Sequence, residues 1–289
     1  MYRPSTRFGA PYRHAAAAVL ALLALTPLAS AQAPAANPKA AKKPDVVAAS
    51  APDTELLLRG CAGEAHCNAK LYVARAHGIE LMKRSADRDQ GRSMLRIEAQ
   101  LDGTLSRLKD KGVDAELARM EDALIGLTEL TLQQPLPSQV EAALRLADRA
   151  AEACRAAVGK LGHDKASTAA PSQPSVRQLA AMLHSSQQLA GNFLAASLKP
   201  GGPTAAESAA LVKLANAFDA DLGLLRPAGA DDAPLRDMLS LIDGQWLFVR
   251  QALSRPRENA RSKIEDVGRA SELMFDVIDR EMQRQRRRA

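Results

Sequence analysis

The chain has 289 residues, of which 46% are hydrophobic and only 3% aromatic, so it can bury one large or two medium cores and those cores must be aliphatic. No β-branched, alternating run is long enough to found a sheet, which points to an all-α protein. The net charge of +6 sits mostly at the ends, in Arg3, Arg7 and Arg13 and in Arg284, Arg286, Arg287 and Arg288. A near-neutral body argues against nucleic acid, which requires a basic face rather than a basic tip.

Residues 1–31 read as a secretory signal: three arginines precede an apolar run from Ala15 to Leu25, and Ala29, Ser30 and Ala31 offer a small-x-small cleavage site. That run is shorter than the roughly 20 residues of an ordinary membrane span, and no later segment could span. Removing it takes away three of the 39 basic residues and none of the 33 acidic ones, leaving +3. Residues 32–53 are rich in Ala, Pro and Lys with few large apolar groups, and are expected to be a disordered tether.

Helical periodicity begins at Thr54 and outlines a first helix to about Lys83, weakened between Gly60 and Gly63. A second helix carries Met94, Ile97, Leu101, Leu105 and Leu108 and ends at Gly112. Asp114 is the expected N-cap of a third, which Pro135 and Pro137 stop. Ser138 with Glu141 forms a capping-box pattern for a fourth, through Cys154 and Val158. The polar stretch 163–174 then separates a first unit, 54–162, from a second, 175–283.

In the second unit Ser175 with Gln178, and Thr204 with Glu207, are further capping-box patterns. They open helices carrying Leu179 to Leu198 and then Leu211, Leu214, Phe218, Leu222 and Leu225. A loop from Pro227 to Pro234 leads to a helix with Leu235, Met238, Ile242, Trp246 and Val249. The last helix, with Ile264, Val267, Met274 and Ile278, runs into a basic tail, 284–289. LARMEDALIG at 117–126 parallels LRDMLSLIDG at 235–244 in matching order, which suggests duplication. The expected architecture is two tandem antiparallel four-helix units behind a signal peptide and linker.

An exported chain meets an oxidising compartment, so Cys61, Cys67 and Cys154 are disulfide candidates. Cys61 and Cys67 would lie about 9 Å apart along an unbroken helix, beyond a disulfide's reach, unless Gly60 and Gly63 break it. Cys154 can equally pair with either or stay a buried thiol. The pattern of Cys and His fits neither a metal nor a haem site, and no nucleophile, base and orienter fall together, so neither a cofactor nor enzyme activity is expected.

Within the helix at 179–198, Ser185, Ser186, Gln187, Gln188 and Asn192 form a polar band among apolar residues. If that band faces the bundle axis it must be hydrogen-bonded to a neighbour, water or a ligand. SSQQLAGNFLA at 185–195, QWLF at 245–248, FDADLGLL at 218–225 and ASELMFDVIDR at 270–280 together resemble the PilJ-type sensor domain. That domain is the periplasmic N-terminal part of type IV pili methyl-accepting chemotaxis transducers and is similar to NarX-like nitrate and nitrite sensors. The resemblance covers about residues 55–282 as two copies.

In that family the first helix of a copy bears a box reading Gly-Arg-Gln-Arg-Met-Leu-Ser-Gln-Arg, whose arginines would hold an oxyanion. With its Ser-Gln on Ser186 and Gln187, the arginine positions carry Ala181, Leu183 and Gln188, and in the first copy Gly60, Ala62 and Cys67. The resemblance therefore implies a periplasmic sensory or small-ligand-binding module with a degenerate anion box. Candidate ligand residues are Arg177, Ser186, Gln187, Asn192 and Gln245, and the candidate ligand is a small anion resembling nitrate or nitrite. A signal would pass through an envelope or inner-membrane protein partner, and a homodimer is possible. The alternative is a structural or protein-interaction bundle that has lost ligand binding.

Overall fold

The computed structural model describes residues 63–79, 106, 108, 112–161, 176–254 and 262–287. The expected signal segment, the tether, Cys61, most of the helix expected over 94–108 and the 163–174 linker lie outside the described residues. Among the described residues there are seven α-helices and no strand. They are α1 (Ala65–Ala76), α2 (Asp114–Leu132), α3 (Val140–Lys160), α4 (Val176–Ser197), α5 (Ala205–Leu225), α6 (Ala233–Ser254) and α7 (Ile264–Arg286).

The helix ends show which local signals the chain uses. Gly78 has φ +67°, and the amides of Gly78 and Ile79 return to the carbonyls of Arg75 and Ala74, which makes a Schellman stop. That stop ends α1 at Ala76, short of the expected Lys83. Thr204 and Glu207 form the capping box that their spacing predicts, each satisfying the other's backbone N–H. The Ser138–Glu141 box does not form: a 3-10 turn over Pro137–Gln139 leads directly into α3, and Gln139 accepts a 2.9 Å bond from the Tyr72 hydroxyl. Val113, not Asp114, is the N-cap of α2, while Asp114 and Glu116 sit in the first turn where the helix dipole favours acids.

Buried apolar side chains from all seven helices form one continuous core, with members on both sides of the 163–174 stretch. Its centre is α4, which packs against α1, α5 and α7 and more lightly against α3. Along α4 nearly every position from Leu179 to Ser197 is buried, so this helix is enclosed on all sides rather than amphipathic. Small residues let it approach its neighbours closely. A Cβ on Gly63 would come within 2.5 Å of Leu183, and one on Gly191 within 3.3 Å of Leu144 and 3.6 Å of the Lys70 Cβ.

Buried aromatic residues are Tyr72 on α1, Phe193 on α4, Phe275 on α7 and a ring pair between α5 and α6. Phe218 and Trp246 meet at 4.4 Å between ring centroids, and the indole N–H donates to Asp219 Oδ1 at 2.8 Å. Trp246 is thus a core anchor, worth about 1.5–3 kcal/mol by burial alone, while its neighbours Leu247 and Phe248 are exposed. The C-terminal arginines begin inside α7, and Arg284 is not a solvated tail residue. It donates to Asp232 at 2.6 Å and to both oxygens of Glu281.

Candidate functional site

The polar band of α4 needs partners because the helix is buried on every side. Consecutive residues on a helix turn by about 100°, so adjacent members of the band face different neighbours. Ser185 donates toward Asp221 of α5 at 3.2 Å, Gln187 meets α1 and α7, and Gln188 donates to Asp148 of α3 at 2.9 Å. Ser186 turns back on its own helix, donating to the Leu183 carbonyl at 2.8 Å, and Asn192 likewise donates to the Gln188 carbonyl at 2.8 Å.

The densest cluster lies where α1, α4 and α7 meet. Lys70 is fully buried, and its ammonium donates to Gln187 Oε1 at 2.8 Å, to Ser271 Oγ at 3.1 Å and to the Glu272 carboxylate. Gln187, also at 0% exposure, donates through Nε2 to the Ser271 carbonyl at 2.9 Å and toward Ser186 Oγ at 3.3 Å. An ammonium has three donors, and here all three are used. Burying a lone charge would cost several kcal/mol, and this constellation offsets that cost with a paired carboxylate and two neutral acceptors.

A second group lies on the other flank of α4. His66 and His184 meet edge to face with ring centroids 4.6 Å apart. His66 Nε2 is 2.9 Å from Asp148 Oδ1, and His184 Nε2 is 3.0 Å from Arg155 Nη1. Burial pushes the Asp148 carboxyl up, but the hydrogen bond and charge of His66, with help from Gln188 and His184, leave it net below its ordinary value. For Asp221 the balance falls the other way: burial raises it and the Ser185 hydroxyl only partly compensates. No group of three or more His, Cys, Asp or Glu among the described residues is arranged to hold a metal.

Of the five ligand candidates, the structure brings together Ser186 and Gln187. Arg177 is exposed in the first turn of α4, about 15 Å along the axis from Gln187. Asn192 is satisfied by its own helix, and Gln245 is half-buried on α6, which packs on α7 rather than on α4 as its main neighbour. The residues that complete the cluster, Lys70, Ser271 and Glu272, are not among those candidates. A signal existed for Lys70: Cys67, Lys70, Val73 and Ala74 fall at three-and-four spacing on one helix face, which sets a lysine inside an apolar stripe.

The disulfide expectation for Cys61 and Cys67 is corrected: Cys67 is a buried thiol and the disulfide-bonded cysteine is Cys154. Cys154 Sγ also lies 3.4 Å from Met120 Sδ, which ties α3 to α2. Helix α1 starts after the Gly63–Glu64 turn and holds Cys67 wholly inside the core, as one of the most buried thiols would be.

Among the described residues these features define an all-helical body organised around a buried ionic cluster. Compared with known proteins, the chain matches no family model, no curated protein and no solved structure. The likeness to the PilJ-type domain therefore rests on the residues quoted for it.

Proposed function

We propose that this protein is an exported helical module that works by docking another protein, with its anion box converted into an internal clamp. The observation that carries this reading is the saturation of Lys70. In the PilJ-like box a cation and a Ser-Gln pair would hold an external oxyanion; here the Lys70 ammonium, held by Gln187 and Ser271, engages the carboxylate of the chain's own Glu272. An external anion would have to displace that carboxylate, leave it buried and unpaired, and reach a lysine with no exposure.

In the same proposal residues 1–31 direct export to the periplasm, 32–53 tether the helical body, and 54–162 with 175–283 derive from a duplicated four-helix unit. The expected partner is an envelope or inner-membrane protein. Thermal melting of the full chain across nitrate, nitrite and related anions tests the reading. No saturable shift is expected, whereas a shift abolished by Gln187→Ala would restore the sensory interpretation. Crosslinking in intact cells is expected to recover one defined envelope protein, and a strictly solitary chain would sink the docking proposal.

A further inference from the structure

The seam between α3 and α4, with the turn that follows α4, is joined by a ladder of three polar pairs that run antiparallel. Glu141 faces Lys199 at 3.6 Å, Asp148 accepts from Gln188 at 2.9 Å, and Arg155 meets His184 at 3.0 Å. Since the two helices otherwise touch lightly, these pairs carry much of the seam. The third rung differs from the others in its chemistry. A guanidinium has only donors and keeps its charge, so a hydrogen bond at this contact requires His184 Nε2 to accept, in a neutral imidazole that carries its proton on Nδ1.

We propose that the Arg155–His184 rung is an acid-sensitive latch: a proton taken from solvent onto His184 Nε2 removes the acceptor, expels Arg155 and loosens the α3–α4 seam. Among the described residues, the neighbours of His184 lie on four helices. From α3 it faces the Arg155 cation, with the Asp148 carboxylate beyond it; from α1 it faces His66 edge-on at 4.6 Å. From α5, Asp221 is bonded to the neighbouring Ser185, and from α7, Glu272 is bonded to Lys70. Protonating His66 would strengthen its bond to Asp148, but protonating His184 sets an imidazolium against a guanidinium in a site only 7% exposed. Asp148 is held below its ordinary value and stays ionised while histidines titrate, so the response belongs to the imidazole.

The sign follows directly. Neutral His184 supports the closed seam, and that support is lost as acid protonates the imidazole. The inference stands whether or not the docking function does, because it concerns the seam alone.

Hydrogen–deuterium exchange of the full chain, corrected for intrinsic rates, tests it at pH about 7.5 and about 5. Wild-type peptides covering 150–160 and 178–186 are expected to lose protection about tenfold at the lower pH, while peptides of α5 and α6 do not. In His184→Gln the amide oxygen accepts from Arg155 and does not titrate, so the acid step should vanish. In Arg155→Gln the seam should be weaker at both pH values and the step should vanish again. A wild-type seam indifferent to pH, or an acid step retained in either folded variant, overturns the proposal. If both variants fail to fold, nitrogen NMR of wild-type His184 decides: a neutral Nδ1–H tautomer at neutral pH supports the latch, and an imidazolium there overturns it.

Discussion

Two ionic clusters in this protein use the same chemistry in opposite solvation. Lys70 and Glu272 are closed inside the junction of α1, α4 and α7, at 0% and 8% side-chain exposure. Arg284 sits with Asp232 and Glu281 at the end of α7 and is 22% exposed, with its Nη1 atom buried and unpartnered. The inner cluster has every donor used; the outer one, though richer in acids, leaves a donor idle. A charge sealed in the interior must be fully paired or the fold fails, whereas a guanidinium that spreads its charge over three nitrogens and is part-exposed tolerates one idle donor. The inner pair consequently selects one packing of three helices, and the outer pair only fastens a helix end.

Breaking the inner pair on one side should have the largest effect. Lys70→Met leaves the Glu272 carboxylate buried without a cation and is expected to cost about 3–5 kcal/mol in urea unfolding. Lys70→Met combined with Glu272→Leu removes both charges, and most of that loss should return. If the double variant regains stability but exchanges its core amides faster, the pair acts for specificity of packing; if it stays as weak as the single variant, the pair contributes net stability. Gln187→Leu, which strips one acceptor from the ammonium, is expected to cost about 1–3 kcal/mol by the same measurement.

The sequence conveyed the helical class, because its apolar residues recur at three-and-four spacing, and it conveyed helix stops and starts where the signal is local. Thr204 with Glu207 and the turn at Gly112, whose φ is +79°, both follow from residues a few positions apart. The Ser138 pattern failed for a nonlocal reason: Tyr72, 67 residues before Gln139, uses that turn for its own hydroxyl and accepts the Leu136 amide at 3.2 Å. The polar band on α4 marked the right helix, yet Gln187 became interpretable only with Lys70 and Ser271, which are 117 and 84 residues distant from it. Pairwise chemistry between far segments is invisible to periodicity. Arg177 illustrates the converse, since an arginine near the box in sequence lies two to three turns away along the helix.

Cysteine chemistry gives a test of intermediate size. With three cysteines in the chain and Cys154 in a disulfide, alkylation of unfolded but unreduced protein should label Cys67 alone. In the native state Cys67 should resist the reagent, because it has no exposure. Rapid native labelling would mean that α1 detaches from the core, and with it Lys70.

The outer cluster and the α5 cap should give the smallest effects, and the cap allows the sign to be worked out. Glu207 is lowered from 4.5 to about 2, first by the hydrogen bond from Lys199 and then by the Thr204 amide. A depressed acid stabilises the fold above its unfolded value near 4.5 and loses that contribution as pH falls toward about 2. Thr204→Ala should therefore cost about 1 kcal/mol at neutral pH, and Arg284→Ala about 1–3 kcal/mol, because its carboxylate partners are buried. The two differ in what they leave behind. Thr204→Ala removes a cap and strands no charge, whereas Arg284→Ala leaves Glu281 and Asp232 facing each other at 4% and 9% exposure. Arg284→Met, which keeps an unbranched stem but no charge, should retain the Arg284→Ala deficit in urea unfolding; recovery of stability in Arg284→Met would show that Arg284 contributes packing of its aliphatic stem rather than charge.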